Sequence, residues 1–379
     1  MDNNRYFDNS PGRGRRPAKN YDYLDEPPRR PQQGAPRGGS HNRTPKKKRL
    51  PLSLLIVLDV MLAVLILLVF YITNYVINWQ TGPSDLPQPS WMASSAPAET
   101  TDNTAFASPS VSAGQETSAP EASVDPNDWR AKFADKFTDG AVEQNENSYK
   151  SANINVSINK VQENEVTYFV ADIYLAELKY FKSAFPGNSE KMGDREGTDK
   201  IAKDVSAVIA VNGDHCVDNP GPVVRNGKAY RLSEKAQDAL VMNYDGSMHA
   251  YSASELDLEK IKTEGAYQVW TFGPMLLKDG QPMTEFDSPQ NINGKNPRTA
   301  VGYYEPGHYC FVVADGRQPG YSTGMDMAQL SQVMYDLGCK VAFNLDGGQS
   351  SEMAFMGNII NQPYNGGRST TDILYVAEQ

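Results

Sequence analysis

The chain has 379 residues, a formal net charge of −10 and three cysteines. That length exceeds one small domain, and so few cysteines exclude a disulfide-stapled scaffold, so its stability must come from a hydrophobic core. The charge is uneven: residues 1–50 hold 13 Lys and Arg against 5 Asp and Glu, a balance of +8, which leaves −18 for the remainder.

Residues 1–49 are rich in Arg, Lys, Pro, Gly and Asn and almost free of aliphatic side chains. Such a segment cannot bury enough apolar surface to order itself and reads as a disordered basic tail. No aromatic-basic pattern accompanies the charge, so no nucleic-acid partner is expected. Residues 50–78 are nearly continuous aliphatic, and roughly 20 such residues span a bilayer core. Lys46-Lys47-Lys48-Arg49 stands directly before them, which places the N-terminus in the cytoplasm and everything after the span outside. The run is too long, and starts too far into the chain, for a cleavable signal peptide. The expectation is a single-pass protein of the cell membrane, with the membrane as partner through residues 50–78. Asp59 lies inside the run, where a carboxyl group must pair with another helix, stay protonated or sit shallow. Residues 79–126, Ser, Ala, Pro, Thr and Glu without periodicity, read as a flexible stalk. Residues 127–379 read as an extracellular domain.

In that domain Asp128, ahead of Trp129, Phe133 and Phe137 and followed by Gly140, predicts a short amphipathic helix. Ile154, Val156 and Ile158 alternate as in a half-buried strand, and residues 166–175 predict another. Residues 199–204 read as a short helix feeding a strand over 207–211. Residues 267–272 are β-rich. Strands over 299–304 and 309–313 flank Glu305-Pro306-Gly307-His308 as a hairpin, with His308 structural. Met327, Leu330, Met334 and Leu337 mark a helix ended by Gly338. Further strands are expected over 340–343, 352–355 and 373–376, with a turn at Gly357-Asn358. Strands outnumber helices and hairpins join several of them. The fold expected is α+β: a mixed, mostly antiparallel central sheet with flanking helices, behind a single N-terminal transmembrane helix. Cys216, Cys310 and Cys339 all fall in this domain. Their odd number leaves at least one unpaired within the chain, their spacing suits no zinc pattern, and sequence does not say whether a pair is bridged.

Polar groups gather at strand ends. Asn212-Gly213-Asp214-His215 follows one apolar run, Asp315-Gly316-Arg317 a second, and Asn344-Leu345-Asp346-Gly347-Gly348-Gln349-Ser350-Ser351 a third. Asn296-Pro297-Arg298-Thr299 opens a strand that an antiparallel neighbour would bring to the same sheet edge. Arginine forks bind phosphate bidentately, glycine-turn amides form anion nests, and a carboxylate serves as acid, base or nucleophile. Together they suit an anionic, hydroxyl-rich ligand. Each has a plainer alternative: an Asp-Gly hairpin turn, a surface salt bridge for Arg298, a packed ring for His215. Asp214, Asp315 and Asp346 are also the residue type that calcium takes, but no Asp-x-Asp ladder fixes a metal, and no other cofactor is expected.

These motifs, with Phe272-Gly273-Pro274-Met275-Leu276 and Gly366-Gly367-Arg368, occur in an order that resembles the phosphodiester glycosidase family over about residues 150–379. That family includes the mannose-6-phosphate uncovering enzyme, and the similarity is closest to membrane-anchored members of Gram-positive bacteria. The resemblance implies a cell-surface hydrolase that releases an N-acetylglucosamine-like sugar from a sugar-1-phosphodiester, in cell-wall or exopolysaccharide metabolism. It assigns catalysis to Asp315, Asp346, Arg298 and Asn344. It assigns substrate binding to Asn212, Gly213, Asp214, Thr299, Arg317, Gly347, Gly348, Ser350, Ser351 and Arg368. Gln349, Glu352, Gln329 and the Asp214-His215-Cys216 run depart from the family pattern. A different class, a non-catalytic surface module that binds sugar phosphates or wall glycans, uses the same residues, and so does a phosphodiesterase that cuts P–O.

Overall fold

The computed structural model describes residues 52–71, 82–90 and 128–379 except 236 and 287–289. The basic tail, residues 50, 51 and 72–78 of the expected span, and residues 79–81 and 91–126 of the expected stalk lie outside them.

Leu52–Tyr71 is one helix, and its described aliphatic side chains, Ile56 to Leu58 and Val64 to Val69 among them, are exposed. Its described side chains run unbroken over 56–69, about 21 Å of helix. Among the described residues no helix is long and apolar enough to cross a membrane.

The C-terminal body is α+β, and every strand pairing among the described residues is antiparallel, with no parallel pair to make a sheet mixed. A seven-stranded sheet runs in the order Val341–Asn344, Arg298–Glu305, His308–Ala314, Val166–Leu175, Ile154–Glu163, Ser148–Lys150, Glu143–Gln144. A five-stranded sheet runs Asn358–Ile359, Met353–Phe355, Ile209–Asn212, Ile373–Val376, Phe181–Ala184. A six-stranded sheet runs Ser84–Asp85, Lys228–Arg231, Val223–Arg225, Gln268–Trp270, Ala239–Met242, Met248–Tyr251.

The three sheets share one core, in which Phe311 and Phe343, Ile209 and Val376, and Leu240 and Trp270 meet. The strand His308–Ala314 shows why its sequence is apolar from Tyr309 onward. Tyr309, Phe311 and Val313 enter the shared core. Cys310, Val312 and Ala314 point the other way, under Leu330 and Met334 of the helix Met327–Asp336. A strand buried on both faces reads as a continuous apolar run. That helix starts at Asp326, whose carboxylate accepts from Gln329 N while the Gln329 side chain accepts from Asp326 N, a capping box that gives the unusual Gln329 its purpose.

Two expectations need correction. Asp128 caps its helix as expected, but the helix covers only Trp129–Lys132; Phe133 leaves helical geometry and a 3-10 turn over Ala134–Lys136 follows, with Phe137 only half-buried. The stalk is not wholly free either: Ser84–Asp85 pairs along the edge strand Lys228–Arg231, and Leu86 is buried beside Val224 and Ala229. One leucine with a surface to enter is enough to dock an extended segment on an open sheet edge. His308 is structural as expected, stacked between Tyr174 at 4.0 Å and Tyr304 at 4.1 Å, with Nε2 2.7 Å from Asp172.

Arg225 ties the six-stranded to the five-stranded sheet. Its Nη2 lies 2.7 Å from Asp214 and 2.9 Å from Asp372, its Nε donates to Asp372 at 3.0 Å, and Asp214 also accepts from Thr271 N at 2.7 Å. All three side chains are buried, and burial pushes the Asp372 carboxyl up to about 6 against the pull of Arg225. Removing one partner of a buried ion network leaves uncompensated charge, which costs about 3–5 kcal/mol. Arg225→Ala is therefore expected to lower the unfolding free energy by that amount in urea melts, and a loss below about 1 kcal/mol would contradict the network's structural role.

Candidate functional site

The strand Val341–Asn344 runs out where the seven- and five-stranded sheets meet. The chain beyond it is stitched to both. Leu345 N donates to Thr299 O at 2.8 Å, Asp346 N to Gly213 O at 3.2 Å, and Gly348 N to Pro297 O at 2.9 Å. Asn212 holds the turn from below: its Nδ2 donates to Asp346 O at 2.7 Å, and its Oδ1 accepts from Thr299 Oγ1 at 2.7 Å and from Glu352 N at 3.3 Å. Gly348 has φ +69°, the left-handed region, and a Cβ there would stand 3.4 Å from the Arg317 guanidinium. Glycine at this position both makes the turn and clears the cleft.

Above the turn lies a cleft of about 290 Å³, with Asn296, Arg298, Arg317, Asn344, Asp346 and Arg368 in its wall. Among the described residues Asp346 is its one carboxylate. Its Oδ1 accepts from Gly347 N at 2.9 Å and its Oδ2 from Arg368 Nη2 at 2.7 Å. Arg368 is 42% exposed in its side chain and also donates through Nε to Ser350 Oγ. Arg317 is exposed, has φ +58°, and donates through Nε and Nη2 to Asn296 Oδ1 at 3.0 and 2.6 Å, with Tyr364 beside it at 5.5 Å. Arg298 is buried and committed to backbone: Nε donates to Met325 O, and Nη2 to Ile292 O and Gly294 O. Burial pushes its guanidinium down to about 10, although Asp326 favours the charged form. Asn344 donates to Gly273 O at 2.7 Å, while its Oδ1 is buried without a partner. Three guanidiniums thus line the cleft that holds Asp346, and one of them, Arg368, pairs with it. A second hollow, about 630 Å³ beside Tyr335, Asp336 and Lys340, gathers no such set.

The structure divides the expected site residues. Asp346, Asn344, Arg298, Arg317, Gly347, Gly348 and Arg368 line the cleft. Asp315 does not: it is buried and accepts from Tyr321 Oη at 2.8 Å, Asn361 Nδ2 at 2.8 Å and Gln362 N at 3.0 Å. Burial pushes its carboxyl up, opposed by those three donors. It is an internal hub, not a base facing substrate. Asp214 belongs to the Arg225 network, and Gly213 has no room for a Cβ because the Asp372 carboxylate would lie 2.2 Å from it. Asn212 and Thr299 are buried members of the clasp, Ser350 supports Arg368, and Ser351 is buried. Asp214, Asp315 and Asp346 do not converge on one point. Among the described residues the one group that could hold a metal is Asp214, Cys216 and Asp372, and Arg225 already occupies it.

Sequence reasoning left three neighbours unassigned. His215 has Nδ1 3.5 Å from Asp346 Oδ2 and Nε2 2.6 Å from Asp218. Asn296, within the Asn-Pro-Arg-Thr motif, orients Arg317. Gln349 donates to Gly367 O at 2.7 Å and so holds the loop that carries Arg368. Each lies within one of the motifs at a strand end, which marked its neighbours but not its own role.

Comparisons with known proteins bear on the family and the fold. Residues 206–377 match the family model described as phosphodiester glycosidase. The resemblance read from the motifs holds. The SPbeta prophage-derived uncharacterized protein YomE of Bacillus subtilis (strain 168) is 31% identical over 193 residues, 48% of this chain and 30% of that protein. The chain therefore spans less than a third of that relative's length. The zebrafish N-acetylglucosamine-1-phosphodiester alpha-N-acetylglucosaminidase catalytic domain, in a form auto-inhibited by its pro-peptide, is similar with a TM-score of 0.51 and 19% identity. The match covers 64% of this chain and 86% of that one. At that identity the likeness is one of fold.

Glu352 sits beneath the Arg368 loop, where a Cβ on Gly367 would lie 1.7 Å from its Oε1. Burial, with Asp199 adding, pushes its carboxyl up to about 7. The folded protein therefore binds a proton more tightly than the unfolded chain. This contribution is fully present below about pH 4.5 and is lost as pH rises through 7. Glu352→Gln should stabilise the protein at pH 8 by about 2 kcal/mol, allowing for solvent screening, and leave stability unchanged at pH 4. Denaturant melts at both pH values check this, and an equal effect at both would contradict it.

Proposed function

We propose that the C-terminal domain is a hydrolase that releases a sugar, of N-acetylglucosamine type, from a sugar-1-phosphodiester. The observation that carries this reading is the single carboxylate of Asp346 among the guanidiniums of Arg298, Arg317 and Arg368. In a chain of net charge −10, that local excess of positive charge selects an anion. A phosphodiester offers one negative charge between two esters. Arg317 and Arg368 are exposed enough to turn toward it, whereas Arg298 shapes the rim through its backbone bonds. Once its charge is neutralised a phosphate departs without a proton, so a second carboxylic acid is not needed. Asp346 then acts at the anomeric carbon as nucleophile or as base toward water. Asn344 Oδ1 accepts from a sugar hydroxyl, and the Gly347-Gly348 turn lets the ring approach the backbone.

The family match and the motif order support the reaction class. The exposed aliphatic surface of Leu52–Tyr71, behind Lys46-Lys47-Lys48-Arg49, supports a further part of the proposal: a single-pass anchor over residues 50–78 that displays the domain outside the cell, where wall or exopolysaccharide phosphodiesters would be its substrates. That the cleft has one carboxylate favours a second reading, a module that holds sugar phosphates without turnover.

The full chain in detergent, incubated with an N-acetylglucosamine-1-phosphodiester while free sugar is followed, separates the two. Asp346→Asn is expected to lower kcat by about 10³-fold or more, and Arg317→Ala to raise KM by about tenfold with a smaller effect on kcat. Undiminished release by Asp346→Asn would contradict the assignment. Saturable binding without release by the wild type would favour the module.

A further inference from the structure

We propose that Cys310 and Cys339 form a redox-active pair that closes to a disulfide, a modification site away from the cleft. Their Sγ atoms lie 3.6 Å apart, both side chains are buried, and both are free thiols here. Cys310 is on the strand His308–Ala314, and Cys339 lies between the helix Met327–Asp336 and the strand Val341–Asn344. The strand Arg298–Glu305 runs between those two strands, and in its register Gly302 stands opposite Cys310 and opposite Ala342.

A Cβ at Gly302 would lie 2.6 Å from each sulfur and 2.7 Å from Met334 Cε. The φ of Gly302 is not positive, so backbone conformation does not require glycine there; the space the two sulfurs occupy does. The missing side chain opens a lane across the middle strand, and the thiols meet in it. A disulfide needs about 2.0 Å between sulfurs, so the pair must close by about 1.6 Å. The third cysteine, Cys216, lies in a different cluster with Phe185 and Val223 and donates to Thr371 Oγ1.

Access favours one order of events. Cys339 lines the hollow beside Tyr335 and Lys340, whereas Cys310 is fully buried, and its hydrogen bond to Cys339 together with burial pushes its thiol up. Cys339, as thiolate, attacks an external small-molecule disulfide R–S–S–R, forms a mixed disulfide and expels RS⁻. Cys310 then loses its proton, attacks the Cys339 sulfur and expels the second RS⁻. Two protein thiols are oxidised and one R–S–S–R is reduced to two thiols, so electrons balance. The bond closes the segment 310–339, which carries Arg317 into the cleft wall.

The test uses the full chain in detergent, exposed to oxidised glutathione, then denatured, alkylated without reduction and digested with trypsin. The expected product is one peptide pair, 299–317 joined to 318–340, each containing a single cysteine, with Cys216 alkylated. Oxidation should also raise Tm by roughly 5–10 °C in the wild type but not in Cys339→Ser. Three alkylated cysteines after oxidation, or a link involving Cys216, would overturn the proposal. So would an equal Tm shift in Cys339→Ser. Gly302→Ala should abolish the link by forcing the sulfurs apart, and a folded Gly302→Ala that still forms it would contradict the steric basis.

Discussion

The carboxamide of Asn212 joins the five-stranded sheet, the seven-stranded sheet and the turn that carries Asp346. It is wholly buried at the end of a strand of the five-stranded sheet. Through one oxygen it takes a hydrogen from Thr299, on the seven-stranded sheet, and another from the backbone of Glu352; through its nitrogen it gives one to the carbonyl of Asp346. An amide can do this because it carries donors and acceptor on one rigid plane. Aspartate could not donate to the carbonyl, and leucine would leave the Thr299 hydroxyl and the Asp346 carbonyl without these partners. The position of Asp346 in the cleft therefore depends on a side chain that never reaches the cleft, and buried polar networks of this kind fix one arrangement among many.

Arginine appears in the domain in two contrasting settings. Arg225 is enclosed between two carboxylates and has no charge to spare. In the cleft the ratio is reversed: among the described residues Arg298, Arg317 and Arg368 share its lining with one carboxylate, Asp346. Arg298 spends its donors on three carbonyl groups, which is architecture, while Arg317 is held by a neutral amide and keeps its full charge toward solvent. The acidic surplus of the chain after residue 50 does not extend into this cleft, so the field there is set by neighbours a few ångströms away.

Legibility in the sequence followed the physics of burial. The closing strand over 373–376 was readable because burial at every position leaves an unbroken apolar run, and the strand over 166–175 because only Thr167 and Asp172 break one. The six-stranded sheet was legible only over residues 267–272, because its strands have only two to four residues each and their turns carry the information. Asn226 and Gly227, with φ of +52° and +79°, form the tight hairpin that Asn-Gly pairs favour, and Asp245-Gly246 marks a second such corner. In the site, motif order pointed to Arg298, Arg317, Asn344, Asp346 and Arg368, all of which line the cleft. It could not tell which side of a turn a carboxylate would occupy, so Asp315 and Asp214 were read as outward when both are internal hubs. His215 was left open because one histidine after a turn carries no pattern; only the fold sets it beside Asp346.

The central claim is that Asp346 directs cleavage to the bond between the anomeric carbon and oxygen, with phosphate as the leaving group. Hydrolysis of an N-acetylglucosamine-1-phosphodiester by the full chain in ¹⁸O-labelled water tests this most directly, with both products analysed by mass spectrometry. The account predicts the label in the released sugar and none in the phosphate monoester. Label in the phosphate would mean P–O cleavage, and would contradict the role given to Asp346 and to the three arginines around it.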